Sequence, residues 1–158
     1  MDEERTRIEK RIREAFRGVV LGKGIGLREG CGLDDYADSK TLAEYRTQDE
    51  RKSWESIPSD ELNDYSTSLS YFDAEGMRFH LPAFLIDELS GASFTYSIVF
   101  HLTHLSADDR RIGVLSHDQK QAVREFLTYK LNTLEEPNLS FERPLIEHAL
   151  TKVWHNRS

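Results

Sequence analysis

Arg78 and His80 stand two residues apart, with Asp73 and Glu75 just before them, in the stretch Leu69–Leu89 (LSYFDAEGMRFHLPAFLIDEL). On a strand, residues two apart point to the same face. An extended backbone here therefore presents a guanidinium and an imidazole side by side. With Asp73 and Glu75 in the intervening turn, and Trp54, Asp49 and Arg46 brought over from the preceding segment, these groups form the candidate binding surface. Such a surface is a polar pocket that pairs cations with carboxylates and adds an indole wall. The same pattern also fits an ordinary antiparallel hairpin with one wet face, in which Asp73 is only a turn former.

Other residues with chemical potential fall short of a site. Cys31 lies in a glycine-rich segment far in sequence from any identified base, and no Ser-His-Asp or Cys-His pairing follows from the spacing. No catalytic residue is assigned, and an enzyme is the less favoured expectation. His101 and His104 are three apart, which places both imidazoles on one side only if they ride on a helix, and no third ligand is identifiable. No metal and no cofactor is expected. Gly22-Lys23-Gly24-Ile25-Gly26 invites a phosphate-loop reading, but fits neither GxxxxGK[ST] nor GxGxxG, and a helix rather than a strand precedes it. A helix terminator followed by a flexible link accounts for it better.

The elements that must position these groups follow from periodicity. Leu69 and Tyr71, then Met77, Phe79 and Leu81, alternate with Ser70, Phe72, Arg78 and His80, the period-two pattern of half-buried strands. Asp73 and Gly76 suit the first and last positions of the turn between them. Pro82 then opens a short helix to Leu89, closed by Gly91. Leu69, Tyr71, Met77, Phe79, Leu81 and Leu85 are assigned to the core. A first helix over 2–17 carries the stripe Ile8, Ile12, Ala15, Phe16, Val19. Thr41 and Glu44 form a capping box for a charged helix over about 42–54, on which Arg46, Asp49 and Glu50 make surface pairs. Ser93–Leu105 fits both a strand and a helical stripe through Phe94, Ile98, Leu102 and Leu105; its β-branched and aromatic content favours the strand. A second capping box, Ser116 and Gln119, opens a helix to about Leu131, and a last helix runs from about 142 or 144 to 155. The expected fold class is α+β: a mainly α-helical single domain, 1–158, with a small antiparallel β-hairpin (about 69–81) packed on helices.

Composition bounds the function. The formal charge is −7, which disfavours sequence-independent nucleic-acid binding. Residues 34–64 hold ten acidic and four basic side chains, an excess of six that is nearly the whole imbalance. A solvated face is the plain meaning; a docking surface for a basic protein partner is the sharper one. One cysteine leaves no internal disulfide. No apolar run approaches the roughly 18 residues that cross a bilayer, and the charged N-terminus lacks a signal core, so a cytoplasmic protein is expected. The sequence carries no signal for oligomeric state.

Residues 69–85 (LSYFDAEGMRFHLPAFL), preceded by Arg46, Asp49, Glu50 and Trp54 and followed by Leu115, Ser116, Gln119, Ala122, Val123, Phe126 and Leu127, resemble a family of uncharacterised bacterial domains. Its N-terminal helix pattern is matched by Ile12, Ala15, Phe16, Gly18, Val19, Leu21, Gly22 and Gly24. The resemblance covers most of the chain up to about residue 128. It implies a bacterial origin and a compact helical fold with a hairpin, and transfers no catalytic residue. Two functions follow as expectations. The first is a protein-binding module, immunity- or antitoxin-like, using the acidic 34–64 region. The alternative is an enzyme or small-ligand binder with a polar pocket at 73–80.

Overall fold

Residues 74–90 form one continuous α-helix, α5 (Ala74–Ser90), and this helix is the axis of the fold in the computed structural model, which describes residues 2–155. Met77, Leu81, Phe84 and Leu85 are buried along one side, and Phe79, Pro82 and Ala83 are buried on the opposite side. A helix that is apolar on opposite sides belongs inside the protein. The expected hairpin over 69–81 is therefore corrected. Asp73 does accept from the backbone of Gly76, at 2.8 Å, but as the N-cap of α5 rather than as the corner of a turn. Ser66–Ser70 is a 3₁₀ turn leading up to it, and Tyr71, assigned to the core, is 38% exposed. Pro82 does not start a helix; it lies inside α5 and removes only the backbone bond to Arg78, an interruption that dense packing tolerates.

Eight further helices lie among the described residues: α1 (Glu3–Ala15), α2 (Leu27–Asp34), α3 (Ser39–Gln48), α4 (Ser59–Asp64), α6 (Ile98–Thr103), α7 (Arg110–Gly113), α8 (His117–Thr133) and α9 (Asn138–His148). A π-helical turn, Ala149–Val153, follows α9. Among the described residues every regular element is helical, so the α+β class is overturned. The strand expected in Ser93–Leu105 is also helix over Ile98–Thr103, where Ile98 and Leu102 face inward and Ser97 caps the first turn through Phe100 N–H. Its β-branched content loses to capping and packing.

α1 packs along α8, as its stripe requires: Ile8, Ile12 and Phe16 meet Ala122, Val123 and Phe126 in one buried cluster. Arg7 and Arg11 both reach Glu125, and Gln119 Nε2 donates to the Ala15 carbonyl at 3.2 Å. The capping box of α8 is complete, Ser116 and Gln119 each bonding the other's backbone. The capping box expected at Thr41 is not formed. Asp38 caps α3 instead, one turn earlier, and the helix ends at Gln48. α2 lies against α3 and the 66–70 turn, and this contact explains its glycines. A Cβ on Gly30 would lie 2.6 Å from Ser68 Cβ, and one on Gly32 2.8 Å from Leu42 Cδ2.

Candidate functional site

The two residues expected to share a wet face are separated by α5. Two positions along a helix turn the side chain roughly 200°, so Arg78 and His80 point apart. His80 is 1% exposed; its ring lies parallel to Phe72 at 4.3 Å and edge-on to Phe79. Nδ1 sits 2.7 Å from the Gly76 carbonyl, which makes it the protonated nitrogen. Burial pushes the imidazole down to about 4; the Gly76 carbonyl and Asp73 oppose that shift and Arg51 adds to it. His80 is thus a neutral core residue at pH 7. Arg78 is half-buried on the other side, its Nε without a hydrogen-bond partner among the described residues.

The other expected residues form a clamp rather than a pocket. Asp73 Oδ1 accepts from Gly76 N–H and also from Ile25 N–H at 3.0 Å, tying the start of α5 to the Gly22–Gly26 loop. Arg51 donates to the carbonyls of Gly22 and Gly24, and Arg46 to that of Lys23. The glycine-rich segment is thus held by two guanidiniums rather than left as a loose link. Arg46 also pairs with Glu29 at 2.6 Å, in place of the surface pairing expected within its own helix. Asp49 has a buried side chain whose two oxygens accept from Arg28 N–H at 2.8 Å and Glu29 N–H at 3.2 Å. These are the open N–H groups at the start of α2, whose own N-cap is Gly26 and supplies no side chain. Burial raises the Asp49 pKa, while both N–H bonds and Arg28 work the other way. Glu50 accepts from the backbone of Lys52 and Ser53. Trp54 is buried, its indole N–H donating to the Phe16 carbonyl at 3.0 Å.

Of the expected set, Asp73 and Glu75 line an open cleft of about 610 Å³ together with Lys23, Arg110 and Arg111. Arg111 is already bonded to Asp109 at 2.8 Å. Neither Arg78 nor His80 reaches this cleft. His101 and His104 flank Phe100, His104 stacking on its ring at 4.0 Å. Among the described residues no group of three or more His, Cys, Asp or Glu is placed to hold a metal ion.

Internal bonding reshapes the acidic 34–64 region. Asp38, Asp49 and Glu50 bond backbone N–H groups, Glu55 pairs with Arg13, and Glu61 with Arg28. Glu44, Asp60 and Asp64 stay exposed, and three more acids stand together where α2 ends. Asp34 accepts from the Tyr71 hydroxyl at 2.9 Å, Asp35 and Asp38 are exposed, and no basic residue lies between Arg28 and Lys40. At the centre stands Tyr36, 95% exposed and with φ of 57°. Tyr36 N–H donates to Leu33 and Ala37 N–H to Gly32, the two bonds of a Schellman ending, with tyrosine where glycine ordinarily sits. Tyr36 carries no signal in the sequence, because only the end of α2 at Asp34 reveals the left-handed position that follows it.

A family model matches residues 4–158. The chain belongs to DUF6714, a family of unknown function. The match runs past residue 128, where the resemblance read from the sequence faded, and membership carries no activity to the clefts or to the acidic tip. No curated protein and no solved structure matches the chain significantly. None of the helices of the described residues is long and apolar enough to cross a membrane.

Proposed function

We propose that the chain is a protein-binding module whose recognition surface is the acidic tip around Tyr36, and that its partner presents a basic segment. The observation that carries this is the conformation of Tyr36. A left-handed backbone costs a non-glycine residue about 1 kcal/mol, and a ring that is 95% exposed returns no burial to offset it. A residue that costs the fold and contributes nothing to the core is explained by what it meets outside. Exposed tyrosine is a common interface anchor. Asp34, Asp35 and Asp38 around it select a cationic partner and speed its approach. Masking of a basic enzyme, as immunity proteins and antitoxins do, is the form of this reading that the charge favours.

The test uses full-length wild type and Tyr36→Gly as bait in lysate of the source organism, at low and high salt. The expected result is a basic protein retained by wild type at low salt. Its affinity, measured afterwards with the purified pair, falls tenfold or more in the variant. Equal retention by both baits, or retention indifferent to salt, removes Tyr36 from recognition. A second reading, a small-ligand site, is supported by the cleft at Asp73, Glu75, Lys23 and Arg110 alone.

A further inference from the structure

We propose that a second, separate site binds a small organic cation, an alkylammonium or alkylguanidinium group, with Asp87 as its counter-ion. Asp87 on α5 is 4% exposed. Its oxygens accept from two neutral hydroxyls, that of Ser59 and that of Tyr96, the latter at 2.7 Å. No cation pairs with it among the described residues. A buried carboxylate is ordinarily matched by a positive charge, because removing it from water is costly. Here the missing charge has a place to sit. A cavity of about 170 Å³ lies between α4, α5 and the 3₁₀ turn Trp54–Ser56, and both Asp87 and Ser59 line it. The Ser59 hydroxyl rests on Asp87 Oδ1, so that oxygen is beside the cavity.

The remaining wall selects the rest of the ligand. Trp54, Ile57, Leu62 and Ile86 supply apolar surface for a short alkyl chain, and an indole is the best aromatic partner for a cation. Arg13 stands at the rim but is committed to Glu9 and Glu55, each at 3.1 Å. Exposed Ser59 and Ser90 at the rim leave the mouth open to solvent. The volume equals about five to six waters, enough for a charged head and a few carbons and too small for a nucleotide. A free amine and the end of a lysine or arginine side chain share this chemistry.

The experiment is a ¹H–¹⁵N NMR titration of the full chain with butylammonium and ethylguanidinium chloride, against butyramide and sodium chloride as controls. Saturable shifts at the Trp54 indole N–H and the amides of Ser59, Asp87 and Ser90, with a dissociation constant in the millimolar range suited to so few atoms, are expected for the cations alone. Asp87→Asn keeps the shape and removes the charge, and should weaken binding tenfold or more. Ser90→Leu, an exposed change at the rim that leaves the Asp87 side-chain contacts in place, should also weaken binding and stands in if the first variant does not fold. Nα-acetyl-lysine amide binding as well as butylammonium points to a peptide side chain; failure of that probe alone points to a free amine. Shifts that follow ionic strength alone, equal binding of butyramide, or a folded Asp87→Asn that binds like wild type overturn the proposal.

Discussion

Replacing His80 by Phe should change how stability depends on pH. In the folded protein burial holds this imidazole at about 4, against 6.5 in an ordinary setting. The unfolded chain therefore binds a proton more readily than the native one, and stability must fall as pH drops from about 6.5 towards 4. Integrating between those values, the wild type loses about 2–3 kcal/mol from this one group between pH 7 and 4.5. Phenylalanine cannot titrate, preserves the stacking on Phe72, and forgoes only the Nδ1 bond to Gly76. That carbonyl keeps its regular helical partner, so the variant should be about 1 kcal/mol less stable at pH 7. The two stability curves should cross, with the variant more stable by about 1–2 kcal/mol at pH 4.5. Urea unfolding of both proteins at half-unit intervals from pH 7.5 to 4.5 measures this. Carboxylates titrating in the same window affect both proteins and cancel in the difference. Curves that run parallel across the range would refute the description of His80 as a buried neutral imidazole.

The surface and capping residues give three more expectations. Tyr36→Gly should stabilise the fold by about 0.5–1 kcal/mol by relieving the left-handed strain; a melting temperature that falls instead would contradict that strain. Asp49→Ala should cost about 1–2 kcal/mol by stripping both N–H partners from the start of α2, and Asp49→Asn, which keeps one acceptor oxygen of two, should fall between. Chemical denaturation of the two variants checks that order. Ser116→Ala should cost about 1 kcal/mol through the α8 capping box, read in the same way.

Where one face of a helix meets water, the sequence was legible. The α1 stripe and the Ser116/Gln119 box of α8 each carry a local signal that tertiary structure had no reason to override. In α5 the helical spacing of Met77, Leu81, Phe84 and Leu85 is masked because Phe79, Pro82 and Ala83 are buried on the opposite side, and Leu69, Tyr71, Met77, Phe79, Leu81 alternate by coincidence. Asp73 and Gly76 compound this, since Asp followed three residues later by Gly serves a β-turn and a helix N-cap alike. The candidate residues Asp73, Asp49, Arg46 and Trp54 each bond at least one backbone group 20 to 48 positions away in sequence. Nothing local distinguishes a carboxylate that holds a distant helix from one that holds a ligand. Asp87 is illegible for a related reason: an acid within an apolar helix reveals its burial only when the facing elements are known.

The cap that Asp49 supplies to α2 has a consequence for the order of assembly. An eight-residue helix containing two glycines and lacking a cap of its own has no autonomous tendency to form. Its start signal arrives from the far end of the next helix, so α2 and α3 gain order together. A peptide covering residues 24–38 should be a coil by circular dichroism. In the intact protein the α2 amides should exchange with solvent in step with those at the end of α3, as one cooperative unit.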